Sequence, residues 1–544
     1  MKKNSPWLIL LSLVWFLTLG FRSLTRPDEG RYAEIAREML VSHQWLIPKL
    51  NAIPYFEKPP LQYWATAISL KIFGVHPFAV RFWTGLLGFL TIPWIRFVGN
   101  RLFGPERGTL AAWVLLGSWY FVGLGHISTL DMGVTFWMTI ALGAFLIHQS
   151  DEKKKSPWML VTWLAVGLGF MSKGLIAVAL PSITLVLYSF STRQWGPWKK
   201  IRLGTGVPLL LLITLPWLIL AERRYPSFWS FFFIHEQFDR FTTTVHQRVE
   251  PVWYFVPILI LGFFPWINLW LPQIRQLWQV SPSKNFSPYR FLWIYSATIF
   301  IFFSLSDSKL FDYILPLFPA LALIIGRQLA LRPQLPITPL FLSGLASLIF
   351  IAVGTLLNEP SWATYLGIHP DLDRDMVQSY QAFGSWIVIA GVISGIGTLF
   401  SWRYQDSLKI ALPILSTGLY LNSLTLIMGS QTLAAISGSD SWANFLKNVP
   451  HQQPIYSVGT YDQTLDFNLN RTVFLVAFED ELAYGLSLEP AQSIPSIAQF
   501  RLIWDQIPVG YAIIQPNYFQ LMTQQHWAMQ VLYQDTHRVI VSRR

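Results

Sequence analysis

The chain has no cysteine, so disulfides, thiolate metal sites and a cysteine nucleophile are excluded, while the redox compartment is left open. It also has little charge. Only 13% of its 544 residues are charged, about half the roughly 25% of an ordinary soluble domain. No glycine-rich phosphate loop stands in a strand–turn–helix context, which argues against a bound nucleotide cofactor or a nucleotide-sugar donor. No internal repeat and no low-complexity tract interrupts the chain. The net charge of +11 sits in short loops and forms no basic patch on a soluble module, so it does not point to nucleic acid.

Apolar residues fill the space that charge leaves. Hydrophobic residues make up 53% of the chain and aromatic ones 16%, with 26 Trp, 40 Phe and 20 Tyr. A soluble protein of this size could not bury so much apolar surface in one core. About 13 apolar runs are long enough to be membrane spans, near 6–22, 79–99, 108–126, 131–149, 157–172, 174–191, 203–220, 251–272, 290–305, 311–327, 337–357, 383–401 and 409–430. Met1-Lys2-Lys3 precedes the first run and no small-residue cleavage site follows it, so the run reads as a retained signal anchor.

Loop charge sets an expected orientation. Arg96 to Arg107, Lys153 to Lys155, Arg193 to Arg202, Arg275 to Arg290, Arg327 to Arg332 and Arg403 to Lys409 alternate with Lys2 and Lys3 on one side. Short basic loops belong in the cytoplasm. The other loops face outward, among them 23–78, 221–250 and the tail after 430. Within 23–78, Tyr32, Ile35, Ala36, Met39 and Leu40 fall on one helical face and Arg31, Glu34, Arg37 and Glu38 on the other, the pattern of an amphipathic helix on a membrane surface. Leu61 to Phe73, after Pro59-Pro60, is short for a span and is expected at the interface. The last 114 residues hold polar turns and β-rich runs at Ile455 to Val458, Val473 to Val476, Tyr511 to Ile514 and Val539 to Val541, the makings of a small α/β outer domain over 431–544 behind a membrane domain over 1–430.

Ionisable residues collect on the outer side: Asp28, Glu29, Arg31, Glu57, Lys58, Asp131, Lys173, His235, Glu236, Arg240, Lys309 and Asp312. Charge beside apolar spans is costly unless it is paired or wetted, so this convergence suggests a polar cavity. Taken singly, each has a plainer reading. Asp28 and Asp131 could cap helices. Glu57-Lys58 could be an exposed pair, and Lys173 could snorkel to the interface. Trp45, Tyr55 and Tyr63 could anchor at the interface or stack on a sugar.

The ordered set resembles a known family. Arg26-Pro-Asp-Glu-Gly-Arg-Tyr-Ala-Glu-Ile-Ala-Arg-Glu-Met-Leu40 looks like the first outer loop of the lipid A aminoarabinose transferases, within the protein O-mannosyltransferase-like GT-C enzymes. Tyr55-Phe-Glu-Lys-Pro-Pro60, Leu130-Asp131-Met132, Ser172-Lys173-Gly174, His235 to Phe241, and Ser308-Lys309 through Tyr313-Ile-Leu-Pro316 continue the match in order over roughly residues 1–330. The resemblance implies an all-α polytopic GT-C fold of about 13 spans, with amphipathic outer helices and the C-terminal α/β domain.

It also implies a reaction: inverting transfer of a sugar from a polyprenyl-phosphate carrier to a lipid, glycan or protein acceptor at the outer face. In that reading Asp28 activates the acceptor, assisted by Glu29, and Asp131 is a second functional acid. The carrier phosphate falls to Lys58, Arg240, Arg31, Lys173 and Lys309, with Tyr55 and Tyr313 lining the pocket. A divalent metal (Zn²⁺, Mg²⁺ or Mn²⁺) would sit on Glu57. The family's metal-binding His precedes its Arg-Phe pair by three positions, where this chain has Gln237. His235 is then the candidate second ligand, and an amide is a poor one. The rival classes are a transporter or flippase, a lipid-phosphate hydrolase and an assembly factor. A transporter would place its charges near the membrane midplane on broken helices.

Overall fold

The computed structural model describes residues 6–151, 156–239, 250–270, 286–365 and 374–543. Among these, eight helices are long and apolar enough to cross a membrane: Pro77–Phe103, Leu130–Ser150, Leu203–Arg224, Pro288–Leu305, Phe311–Leu329, Ile337–Asn358, Met376–Arg403 and Leu408–Leu433. Four shorter apolar helices accompany them: Leu8–Gly20, Arg107–Leu116, Trp158–Lys173 and Ile176–Thr192. All twelve lie on the expected apolar runs. Two runs are not single helices. The run over 251–272 forms only Phe255–Gly262 before the chain turns at Phe263, where Pro265 follows and removes a backbone donor. The run over 108–126 breaks at Gly117 into Arg107–Leu116 and Trp119–Leu124.

Large aromatic side chains fill the bundle. Trp15 and Trp266 are fully buried, and Trp15 donates its indole N–H to the Gly85 carbonyl at 2.9 Å. Tyr420 donates to the Leu11 carbonyl at 2.9 Å, which joins the first helix to the last span. A hydroxyl or indole N–H this deep would be costly without such a partner.

At one end of the bundle two helices lie outside the spans, Asp28–Ser42 and Leu61–Phe73. A short antiparallel ribbon, β1 (Lys49–Leu50) with β2 (Ile53–Pro54), connects them. The C-terminal sheet covers this layer. Its strands are β3 (Ile455–Val458), β4 (Phe474–Val476), β5 (Ser493–Ile494), β6 (Gly510–Ile514), β7 (Gln530–Gln534) and β8 (Val539–Arg543), in the order β5-β4-β3-β6-β8-β7. The first four are parallel, and β8 runs antiparallel to β6 and β7.

Side chains alternate across a strand, so one sheet serves two cores. Tyr456, Val458, Val476, Ala512 and Ile514 pack on Phe500, Trp504 and Met522 of the outer helices Ile497–Gln506 and Pro516–Gln524. Ile455, Leu475, Ile513 and Ile540 point the other way and share a core with Tyr32, Ile35, Ala36 and Met39. The helix Asp28–Ser42 is therefore clasped on both sides. It is amphipathic, as its spacing suggests, but its charged face does not meet water: Glu29, Arg31, Glu34 and Arg37 are all buried. Gly30 makes the clasp tight, because a Cβ there would lie 2.6 Å from the backbone of Gln463 and Thr464.

Candidate active site

Asp28 is the first residue of its helix, and the residue before the helix, Pro27, supplies no side-chain cap. The Asp28 carboxylate, 28% exposed, accepts from Arg31 at 3.1 Å. Arg31 also forms an ion pair with Glu481, which the C-terminal unit contributes. Burial works against the Arg31 charge, but Tyr55, Glu481 and Asp28 around it hold its pKa above the ordinary arginine value. Burial, opposed by Arg31, pushes the Glu481 carboxyl up.

Several polar atoms around Asp28 are buried with no hydrogen-bond partner among the described residues: Arg31 Nε and the hydroxyls of Tyr55 and Tyr63. Glu57, Arg31, Asp28 and Glu481 all lie within electrostatic reach of Tyr63. Orphaned donors that converge like this are costly unless a ligand meets them.

Glu29 has a different task from the one expected. It is 1% exposed and accepts from Arg22 at 2.7 and 3.0 Å and from Arg81 at 2.7 and 2.9 Å. Thr25 and the Ser128 backbone N–H complete the shell. Burial alone would raise its pKa, but the two arginines pull it well below the usual carboxylate range. A carboxylate so fully engaged has no lone pair left for an acceptor proton. It knots the loop carrying Asp28 to the span Pro77–Phe103 and to the turn before Asp131.

That turn fixes the second acid. Thr129 caps the helix Leu130–Ser150 by accepting from the Asp131 N–H at 3.4 Å, so Asp131 is not the cap. An acid in a first turn is favoured by the helix dipole. Asp131 forms an ion pair with Lys173. Lys173 reaches it because Gly174, at φ +92°, ends the helix Trp158–Lys173 and donates to the Phe170 carbonyl at 2.7 Å. The Lys173 ammonium also lies 4.6 Å from the centre of the Tyr313 ring. Asp312 lies within electrostatic reach of Asp131, Lys173 and Asp28.

Two further lysines are buried nearby. Lys58, 7% exposed, donates to Glu236 at 2.9 Å and to the Glu57 carbonyl at 2.8 Å. Lys309, 4% exposed, donates to the Glu250 carbonyl at 2.8 Å and to that of Ser306. Arg240 lies outside the described residues. His235 stacks on Phe231, with ring centres 5.2 Å apart. Among the described residues no three His, Asp or Glu side chains converge as a metal ion requires.

Sequence reasoning missed Glu481, Arg22 and Arg81, gave Tyr63 only an optional stacking role, and gave Asp312 no role. Arg81 carried a signal, as an arginine inside an apolar run that is fully buried here. Nothing local marks Glu481, whose partner lies 450 positions away.

Comparison with known proteins follows the same lines. Residues 443–543 match the aminoarabinose transferase C-terminal domain, and residues 57–220 match the dolichyl-phosphate-mannose-protein mannosyltransferase family. The chain is 31% identical over 520 residues to the undecaprenyl phosphate-alpha-4-amino-4-deoxy-L-arabinose arabinosyl transferase of Pectobacterium carotovorum, covering 90% of this chain and 87% of that one. The Edwardsiella ictaluri protein of the same name is 34% identical over 334 residues, 60% of each chain. The crystal structure of ArnT from Cupriavidus metallidurans bound to undecaprenyl phosphate superposes with a TM-score of 0.89 at 29% identity, over 99% of this chain and 98% of that one.

Proposed function

The chain belongs to the aminoarabinose transferase family and is a multi-pass membrane glycosyltransferase using a polyprenyl-phosphate-linked donor. From that premise we propose how its residues divide the work. The donor is an undecaprenyl-phosphate-linked sugar, with the 4-amino-4-deoxy-L-arabinose of its relatives' names the first to test. The acceptor is a glycolipid such as lipid A, and the site faces the outside of the inner membrane, with the short basic loops inside.

Lys309 carries the reading. Among the described residues its buried ammonium meets only carbonyl oxygens, and a desolvated cation calls for an anion. Lys58, Lys173 and Lys309 hold the carrier phosphate, a task the family resemblance also gives to Arg240, and the ring of Tyr313 backs Lys173. As the glycosidic bond breaks, the phosphate gains charge, so these cations bind the transition state more tightly than the ground state. Asp28 takes the proton from an acceptor hydroxyl that attacks the anomeric carbon with inversion. Arg31 holds the Asp28 carboxylate in place. Tyr55, Tyr63 and Glu57 face the sugar. Asp131 orients Lys173. Residues 431–544 close the site from above and help choose the acceptor.

The test is a reaction in detergent with polyprenyl-phosphate sugars extracted from native membranes, followed by mass spectrometry. Wild type is expected to consume one donor and release polyprenyl phosphate, while Asp28→Asn and Lys58→Ala do not. Donor left intact by wild type, with membrane lipid and protein supplied as acceptors, would overturn the reading.

A further inference from the structure

Far from Asp28 the bundle holds a cavity of its own. Arg81, tied to Glu29, lies near the start of the helix Pro77–Phe103, and Glu106 follows its other end, on the order of 35 Å away by helical rise. There, the turns before Arg107–Leu116, after Phe318–Leu329 and before Leu408–Gly429 enclose about 470 Å³.

The cavity is amphiphilic. Leu110, Trp113, Leu331, Leu408 and Pro413 give it an apolar wall, and Glu106, Arg332 and Lys409 line its polar part. Lys409 pairs with Glu106 at 2.6 Å, but both are more than half exposed, and such a pair is weak enough for an anion to displace. The Arg332 guanidinium is exposed and has no partner among the described residues. The ranges 96–107, 327–332 and 403–409 hold seven basic residues against two acidic ones, Glu106 and Asp406. One of those acids is already engaged, since Gln334 donates to Asp406 at 3.1 Å.

The cavity is also preformed. Leu335 N–H donates to the Gln405 carbonyl and Leu408 N–H to the Pro333 carbonyl, each at 3.0 Å, which locks two of the turns together. A basic rim over an apolar wall, at the membrane end bearing the short basic loops, matches one kind of molecule in charge and polarity.

We propose that this cavity binds an anionic phospholipid. Arg332 and Lys409 would take its phosphate and the apolar wall the start of its chains. The site is separate from the transfer reaction and acts as a brace across three helix ends.

The full-length protein, washed free of lipid in detergent, would be titrated with phosphatidylglycerol, with phosphatidylcholine of the same chains, or with inorganic phosphate, and read by native mass spectrometry. Wild type is expected to retain one phosphatidylglycerol in preference to phosphatidylcholine, with excess inorganic phosphate failing to displace it. Arg332→Ser with Lys409→Ser should weaken retention by roughly tenfold or more. Ala330→Trp fills the cavity without changing charge and should weaken it too, so it decides the matter if the double variant does not fold. Equal retention of the two lipids, unchanged retention in the variants, or displacement by inorganic phosphate would each overturn the proposal.

Discussion

The guanidinium of Arg31 is divided between two carboxylates, Asp28 three residues before it and Glu481 far along the chain in the C-terminal unit. One planar group thus ties the proposed base to the part of the protein that covers it. A planar fork can serve two carboxylates at fixed angles, and an ammonium cannot. Arg31→Lys is therefore expected to lower kcat by about tenfold or more, in keeping with the loss of a positioned group, and to leave the thermal midpoint within a few degrees. Glu481→Gln should lower kcat less and act in the same direction. Steady-state kinetics beside a thermal melt checks both; a variant with wild-type kcat would detach Glu481 from the chemistry.

Neighbouring acids should respond in opposite ways. Asp28 is partly exposed and has one ion-pair partner among the described residues, so Asp28→Asn should leave the fold intact while removing ~10²-fold or more of turnover, the usual worth of a general base. If the acceptor is already ionised, as a phosphate would be, the loss should be far smaller. Glu29→Gln instead strips a buried charge from two buried arginines, a change that typically costs about 3–5 kcal/mol. It should lower the thermal midpoint and the yield of folded protein. Equal melting of the two variants would show that the Glu29 knot is not structural.

The bundle was legible from apolar run length because a span needs only length and low charge, and 337–357 against the observed Ile337–Asn358 shows how closely that works. Breaks inside a run were not, since Gly117 and Pro265 act through local geometry that hydropathy averages away. In the sheet, β3 and β6 were readable because both of their faces are mostly buried, whereas β7, half-exposed and polar at both ends, has no such signature. The charged face of Asp28–Ser42 read as water-facing because its cover, Gln463, Asp466 and Glu481, lies more than 400 positions on. Family resemblance supplied Asp28, Lys58, Asp131 and Lys173, which local pattern alone left as two helix caps, an exposed ion pair and a snorkelling lysine.

Gly30 gives a handle on the clasp itself. A Cβ at 2.6 Å from backbone atoms cannot be relieved by turning a side chain. Gly30→Ala should push the Gln463–Thr464 turn away from the helix, loosening the C-terminal unit. Limited proteolysis is expected to release a fragment containing residues 443–543 faster than in wild type, with turnover reduced. Unchanged cleavage would mean that the helix shifts to accommodate the methyl group.

The last prediction concerns pH. Glu34, Glu38 and Asp466 meet between the helix and the C-terminal unit, faced by Arg37, Tyr461 and Asp462. Burial pushes all three carboxyls up, most strongly Glu38 and Asp466, while Arg37 opposes the shift. A raised carboxyl pKa means that the folded state holds more protons than the unfolded chain above the ordinary carboxylate value near 4. Stability must then fall as pH rises from there through the folded-state values. The lowered groups Glu29 and Glu489 act oppositely, but their contribution is complete once pH exceeds the ordinary carboxylate range. At the clasp itself the raised acids are the groups still losing protons between about pH 5 and 8, so amide exchange in the helix Asp28–Ser42 should quicken as pH rises, beyond the intrinsic base-catalysed rate. Asp466→Asn keeps an oxygen for the Tyr461 hydroxyl, 2.8 Å away, and removes the charge, so it should flatten the dependence. If the variant tracks wild type across the range, the three acids do not set the strength of the clasp.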